Sequence, residues 1–265
     1  MKLALVRQRY NPYGGAERFI ERAVAALERE GAEVTLIARE WKGDGTGKTR
    51  RVLAVNPFYI GRWWRDASFA RAARRAWENA GFALVQSHER IAGASIYRAG
   101  DGVHRQWLEH RARHASQLER LSIALNPYHR YVCAVEKSMF EHPGLRAVIC
   151  NSRMVHGEIL RHFAIAEDKL HVIYNGVDTG HFHPRERVRR NGGDIVLVFV
   201  GSGFARKGLD TVLTAMARSR LPLKLLVVGR DRELPRFAAL ARSLKIAGRV
   251  TFAGGVEDVR PYYAA

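Results

Sequence analysis

The plainest chemistry in this sequence belongs to two adjacent cations in a glycine-rich stretch, Gly201-Ser202-Gly203-Phe204-Ala205-Arg206-Lys207-Gly208. The stretch joins an apolar run, Ile195 to Val200, to a helical pattern that begins at Leu209. Cations at a helix start oppose the helix dipole and are normally avoided, and an anionic ligand resolves that conflict. The spacing is not a dinucleotide fingerprint, because Arg206 stands where the third glycine belongs, and not a P-loop, because Gly208 replaces the Ser or Thr. A second turn, Gly14-Gly15, also lies between a strand and a helix. Glycine there lets the backbone approach a ligand and leaves free amides for a phosphate, although any tight strand-to-helix turn can use glycine.

Other constellations carry less. Gly43-Asp44-Gly45-Thr46-Gly47-Lys48-Thr49 ends like a P-loop, but Lys42 occupies the place of the first glycine and a strand follows, so it reads as a loop. His110 and His114 have the i, i+4 spacing of a metal pair, yet beyond His104 no third ligand is suitably placed and H-E-x-x-H is absent. Asp231-Arg232-Glu233 reads as the acidic start of a helix rather than a cation site. No metal site is predicted.

The elements that must position these residues alternate. Apolar runs at Lys2–Val6, Val34–Ala38, Val52–Val55, Phe82–Gln86 and Ala147–Cys150 read as strands. Helices are predicted after Gly15, where Phe19, Ile20, Ala23, Val24 and Leu27 recur at helical spacing, and at Trp63–Asn79 and Arg153–Phe163. That order predicts a parallel sheet with crossover helices. After a polar, basic linker, His181 to Gly193, a second series follows: strands Ile195–Val200, Lys224–Val228 and Val250–Phe252, with helices Leu209–Ala217 and Glu233–Leu244. Three strands are fewer than a doubly wound sheet usually has, and Tyr262-Tyr263-Ala264-Ala265 carries no stop signal, so the second domain is expected to be truncated. The expected domains are 1–180 and 194–265.

With 265 residues, 47% hydrophobic and 26% charged, the chain has the composition of an ordinary globular protein and can bury a sizeable core. No apolar stretch approaches membrane-spanning length, the N-terminal apolar run is too short for a signal peptide, and Cys133 and Cys150 form no C-x-x-C. A reducing cytoplasm is expected. The charge is unusual: 44 Lys plus Arg against 26 Asp plus Glu leave +18, which points to an anionic partner, whether nucleic acid, an acidic membrane surface or a phosphorylated substrate. Two segments mix cations with aromatic and aliphatic residues, as a helix lying on anionic lipid does and as a solvated face over a core also does. One holds Phe58, Trp63 and Trp64 with Arg62 and Arg65, and the other runs from His104 to Tyr131. No recognition-helix, RNA-recognition or zinc-finger signature supports nucleic acid.

Three motifs in order, G-G-A-E-R at Gly14–Arg18, V-I-Y-N-G-V-D at Val172–Asp178 and G-S-G-F-A-R-K-G at Gly201–Gly208, resemble glycosyltransferase family 4, retaining enzymes of the GT-B fold. Within it, Arg206-Lys207-Gly208-Leu209-Asp210, Tyr97–Gly102 and Tyr128–Glu141 are most similar to the lipopolysaccharide core glucosyltransferase I group. The resemblance covers essentially the whole chain.

The resemblance implies an α/β architecture of two Rossmann-like domains facing across a cleft, the first binding acceptor and the second a nucleotide sugar. It implies transfer of a hexose, glucose from UDP-glucose, to a heptose of the lipopolysaccharide inner core, with neither cofactor nor metal, by a protein peripheral at the cytoplasmic membrane face. A related transferase acting on another glycan or lipid, and a basic nucleic-acid- or membrane-binding protein without activity, are the alternatives. Arg206 and Lys207 match the diphosphate-binding pair, Gly14 and Gly15 the first-domain glycines near donor phosphate and sugar, Gly255-Val256 the segment beside the base, and Asp101 the acidic residue near the acceptor. Two departures stand out: Ser202 occupies a position that is often Arg in the family, and the family's glutamates spaced E-x7-E are expected beyond residue 265.

Overall fold

The structure, a computed structural model, describes residues 1–9, 15–40, 51–113, 115–183, 193 and 195–264. The strands are β1 (Lys2–Val6), β2 (Glu33–Ala38), β3 (Arg51–Ala54), β4 (Leu84–Ser87), β5 (Ile96–Ala99), β6 (Ala147–Cys150), β7 (Leu170–Val172), β8 (Ile195–Val200), β9 (Leu223–Val228) and β10 (Val250–Gly254). The helices are α1 (Gly15–Arg29), α2 (Gly61–Ala80), α3 (His104–Arg113), α4 (Gln117–Leu125), α5 (Pro127–Phe140), α6 (Arg153–His162), α7 (Leu209–Arg218), α8 (Leu234–Ser243) and α9 (Arg260–Tyr263). The chain divides into two compact units, Met1–Gly176 and Val177–Ala265.

The first unit is built on a parallel sheet of order β3-β2-β1-β4-β5-β6-β7. The chain winds outward from β1 through β2 to β3, then returns to place β4 on the other side of β1. The β1–β4 boundary is therefore the topological switch point, outside whose strand ends α/β sheets take their ligands. Alternation along β1 divides the core in two. Leu3 and Leu5 pack with Ile20 and Val24 of α1, whereas Ala4 and Val6 pack with Phe69, Ala73 and Trp77 of α2. Each of the larger apolar side chains among them contributes about 2 kcal/mol when removed from water. A third cluster, including Tyr97, Met139, Phe140, Val148 and Ile159, fastens α5 and α6 to β5 and β6.

Arg39, at the carboxyl end of β2, secures the start of α2. Its guanidinium is buried, donating from Nη1 to Asn56 Oδ1 (3.0 Å) and the Pro57 carbonyl (2.8 Å), and from Nη2 to the Arg65 carbonyl (2.7 Å) and Ser68 Oγ (2.9 Å). Tyr59 and Phe69 flank it, and burial lowers its pKa.

Several expectations from the sequence shift. The strand expected at Phe82–Gln86 runs from Leu84 to Ser87, because its register against β1 pairs Leu3 with Leu84 and Val6 with Ser87, leaving Phe82 to pack on the α2 side of the core. The helix expected at 63–79 spans Gly61–Ala80, ended by Gly81 in the left-handed conformation (φ 65°). Strands β5 and β7 and helices α3 to α5 had not been predicted as elements. The P-loop-like stretch 43–49, His114 and most of the expected linker lie outside the described residues.

The second unit carries a parallel sheet of order β10-β9-β8, with α7 and α8 packed around Phe204, Leu209, Leu213, Phe237 and Leu225. Its elements follow the predicted series closely. Among the described residues of the whole chain, no helix is long and apolar enough to cross a membrane.

Candidate functional site

In the second unit three parallel strands end on three glycines with positive φ: Gly201 after β8 (132°), Gly229 after β9 (148°) and Gly254 closing β10 (72°). The ladder continues through them, since the Gly201 N–H donates to the Val228 carbonyl (2.8 Å) and the Gly229 N–H to the Gly254 carbonyl (2.7 Å). Only glycine fits at 229, because a Cβ there would stand 2.6 Å from the Gly201 carbonyl carbon.

The stretch from Gly201 to Gly208 is hung between two fixed points. Phe204 is fully buried, edge-on to Phe199 (5.9 Å) and Phe237 (5.7 Å). Asp231 is the second anchor: Oδ2 accepts from the Phe204 N–H (2.7 Å) and Oδ1 from the Glu233 N–H (2.8 Å). These amides, with that of Gly203, hold the Asp231 carboxyl below its usual range. Asp231-Arg232-Glu233 leads into α8, whose N-cap is Glu233, as expected from the sequence, and the Asp231 carboxylate also reaches across to the glycine stretch.

Lys207 and Arg206 are exposed and lie over glycines. The Lys207 ammonium donates to the Val200 carbonyl (3.2 Å) and occupies the space a side chain at Gly201 would fill. The Arg206 guanidinium lies over Gly203, Nε being 3.5 Å from where a Cβ would be. Among the described residues neither cation pairs with a carboxylate, and the N–H groups of Ser202, Ala205 and Arg206 have no acceptor. Two cations with no carboxylate partner among the described residues, beside backbone N–H groups without an acceptor there, are groups whose chemistry suits an anion. Gly255 and Val256 follow β10 on the same edge of the sheet, with the Arg230 side chain lying against Gly255.

In the first unit Asp101 is exposed on the Gly100–Gly102 turn after β5. The turn is buttressed on every side. Asn151 Nδ2 donates to the Gly100 carbonyl (3.0 Å), Arg90 Nη2 to the Gly102 carbonyl (3.4 Å), and the Val103 N–H donates to Glu158 Oε2 (3.3 Å). Glu136, 1% exposed, accepts from the His104 N–H through both oxygens (2.9 and 3.0 Å) and from Arg90 Nε (2.8 Å). The Asp101 carboxylate itself takes no hydrogen bond from a described residue, and it acts electrostatically on Arg90 and Arg98. Arg98 is buried and donates to Asn175 Oδ1 (2.6 Å). His88, enclosed near Arg98 and Arg7, is pushed down to about 3 by burial and by those cations, and is neutral at pH 7. Gly15 opens α1; Gly14 lies outside the described residues.

The fold thus gathers Arg206, Lys207, Gly255 and Val256 on one edge of the second sheet, and it sets Asp101 on the corresponding edge of the first. Asp231, Glu136, Arg90 and Arg98 had not been given site roles from sequence. For Asp231 a signal was present, a carboxylate two residues past the glycine that ends a strand. The buried Glu136 had none, since its partner Arg90 lies 46 positions away. His110 bonds only to Gln106 among the described residues, and no three His, Cys, Asp or Glu of those residues come together to hold a metal ion.

Comparison with known proteins gives the same architecture a family. The profile for Glycosyltransferase Family 4 matches residues 13–181, and that for Glycosyl transferases group 1 matches residues 183–265. The lipopolysaccharide glucosyltransferase WaaG of Escherichia coli (strain K12) is 24% identical over 280 residues, covering 100% of this chain and 72% of WaaG. The lipopolysaccharide core biosynthesis glycosyltransferase LpsE of Rhizobium meliloti (strain 1021) is 27% identical over 267 residues, covering 95% and 67%. The crystal structure of WaaG superposes with a TM-score of 0.82 at 24% identity over 99% of this chain and 72% of that one. Anabaena HepE, solved in complex with UDP-glucose, superposes with a TM-score of 0.61 at 19% identity over 98% and 70%. With the family's own profile matched over more than half its length and the fold shared, the chain belongs to glycosyltransferase family 4 and is a glycosyltransferase of GT-B-like fold.

Proposed function

We propose that the protein moves glucose from UDP-glucose to a heptose of the lipopolysaccharide inner core, with retention of anomeric configuration and without a metal, at the cytoplasmic face of a membrane. One observation carries this reading: Arg206 and Lys207 lie over glycines at a strand end, without a carboxylate partner among the described residues and next to N–H groups that have no acceptor among them. A departing nucleoside diphosphate develops negative charge, and preorganised cations and amides aimed at that charge are the largest single source of rate in such transfers. Lys207 and Arg206 neutralise the diphosphate, while Asp231 and Phe204 keep their loop from moving as charge builds. Gly255 and Val256 flank the base.

On the acceptor side, Asp101 orients the attacking hydroxyl or receives its proton; in a front-face retaining reaction the leaving phosphate takes the proton instead. The relatives support these substrates: WaaG is a lipopolysaccharide glucosyltransferase, LpsE a lipopolysaccharide core biosynthesis glycosyltransferase, and HepE has been solved with UDP-glucose. The decisive experiment supplies labelled UDP-glucose and a heptose-terminated core acceptor, with EDTA present. The expected result is labelled product whose new anomeric proton signal has the α configuration of the donor. Absence of UDP binding by calorimetry would sink the donor assignment.

The membrane surface belongs to this reading as well. Leu118, Leu121 and Leu125 recur at i, i+3, i+7 on α4, and all three are exposed, as are Trp107 on α3 and Phe58, Ile60, Trp63 and Trp64 at the start of α2. Helix α4 buries no residue of its own. Trp63 meets Tyr131 of α5 edge-on (6.0 Å) and Arg62 lies over Tyr128 (4.8 Å), so the apolar residues of α2 adjoin α5 and are interleaved with arginines. Such a face suits an anionic interface. Replacing Leu121 and Trp63 by serine is expected to weaken co-sedimentation with phosphatidylglycerol vesicles about a hundredfold or more, since each of the two large side chains contributes about 1.5–3 kcal/mol when buried. Equal binding to pure phosphatidylcholine would remove the electrostatic part.

A further inference from the structure

We propose that the cavity between α2 and α5 is a carbohydrate subsite that receives one hydroxyl-bearing edge of an acceptor sugar, an inference that rests on the acceptor reading of the first unit. The cavity, of about 60 Å³, lies outside the carboxyl ends of β1 and β4, at the switch point of the sheet. At roughly 10–15 Å³ of such volume per water it admits several hydroxyl-sized groups.

Its lining divides into spent and unspent polar groups. Asp66 is spent: Oδ1 accepts from Arg65 Nε (2.8 Å) and Gln8 Nε2 (3.3 Å), and Oδ2 from the Tyr128 hydroxyl (3.0 Å). These bonds tie α2, α5 and the end of β1 into a fixed wall. Three other lining residues each keep an atom that no described residue hydrogen-bonds. Glu89 uses Oε1, which accepts from the Gln8 N–H (2.9 Å) and faces Arg7 Nη1 (3.4 Å), and has Oε2 to spare. Arg90 uses Nε on Glu136 and Nη2 on the Gly102 carbonyl, and has Nη1 to spare. The Tyr131 hydroxyl has no hydrogen-bond partner among the described residues. None of these three atoms is sealed from solvent, because the fully buried unpartnered side-chain atoms among the described residues are Arg7 Nε and Arg39 Nε alone.

A guanidinium N–H, a phenol hydroxyl and a carboxyl oxygen around one small cavity, with the rings of Phe69 and Tyr128 in its wall, match one edge of a sugar, which alternates hydroxyl groups with C–H groups. The unspent polar atoms turn away an acyl chain, whose burial would leave them unpaired. Burial pushes the Glu89 carboxyl up, toward the form that donates as well as accepts. Arg90 also binds the Asp101 turn through the Gly102 carbonyl, so the cavity and that turn share one side chain.

The test uses the whole chain and two variants, Tyr131→Phe, which removes one hydroxyl, and Val135→Leu, which fills the cavity. Saturation-transfer NMR with the methyl glycoside of L-glycero-D-manno-heptose reads the subsite, and UDP calorimetry on the same samples reads the second unit independently. Heptoside signal is expected from the unchanged protein. It should weaken about fivefold in Tyr131→Phe, the worth of one hydrogen bond, and vanish in Val135→Leu, with UDP affinity unaltered in both. Equal heptoside signal in all three proteins overturns the proposal, as does its absence from the unchanged protein while UDP still binds. If UDP fails to bind and the heptoside pattern holds, the donor reading falls and the subsite stands. Should Val135→Leu lose its fold by circular dichroism, Tyr131→Phe decides alone.

Discussion

Replacing Arg206 and Lys207 together by alanine is expected to lower glucosyl transfer by two to three orders of magnitude, about 3–4 kcal/mol of lost transition-state stabilisation, the scale of removing a preorganised donor from a developing oxyanion. The fold should be untouched. Both side chains are exposed, neither pairs with a carboxylate among the described residues, and the one bond lost is from the Lys207 ammonium to the Val200 carbonyl. Exposed substitutions of this kind usually stay within about 0.5 kcal/mol of the parent stability. The two cations should not be equivalent. Lys207 lies directly over the end of β8 and acts as a point charge, whereas Arg206 presents a planar fork over Gly203 that can hold two oxygens at once. Arg206→Lys should therefore recover only part of the loss. The measurement is kcat/KM for UDP-glucose beside the dissociation constant for UDP; undiminished turnover with both cations gone would falsify the diphosphate role.

Much of this site was legible in the sequence because its signal is local. The stretch 201–208, its flanking strand and its helix are contiguous, so glycine spacing and charge were enough to single out Arg206 and Lys207 and to place them between β8 and α7. The strands that were predicted are the apolar ones. Those missed had other reasons: β5 is four residues long with Arg98 in its middle, and β7 is three residues long. A charged residue in a short run argues against a buried strand unless a distant partner is known, and the partner of Arg98 is Asn175. Helices α3 to α5 were obscured by their basic, aromatic surface, whose interleaved arginines spread across the apolar stripe. Glu136 shows the same limit in the polar direction. Its burial makes sense only once Arg90 and the His104 N–H close on it from other elements.

Gly229→Ala is expected to destabilise the second unit by about 3 kcal/mol or more, combining strain at a positive φ with a backbone collision. The reason lies in the sheet. Gly229 has φ 148°, and a methyl group there meets the carbonyl of Gly201, a residue whose N–H is hydrogen-bonded to the Val228 carbonyl of β9, so its backbone cannot step aside. In a domain of this size each kcal/mol moves the melting midpoint by roughly 4–8 °C, so a drop of well over 10 °C should appear in the transition of that unit. Gly201→Ala makes the informative contrast. Its φ of 132° also carries strain, but the atom in the way is the end of the Lys207 side chain, which can swing out. That variant should lose about 1–3 kcal/mol of stability from backbone strain and should lose UDP affinity besides, because the ammonium is driven from its place. If both substitutions lowered stability equally and Gly201→Ala bound UDP normally, the position of Lys207 over the strand end would be irrelevant to the donor. A selective loss of affinity at 201, set against a selective loss of fold at 229, is the pattern that two glycines 28 positions apart and in backbone contact should give.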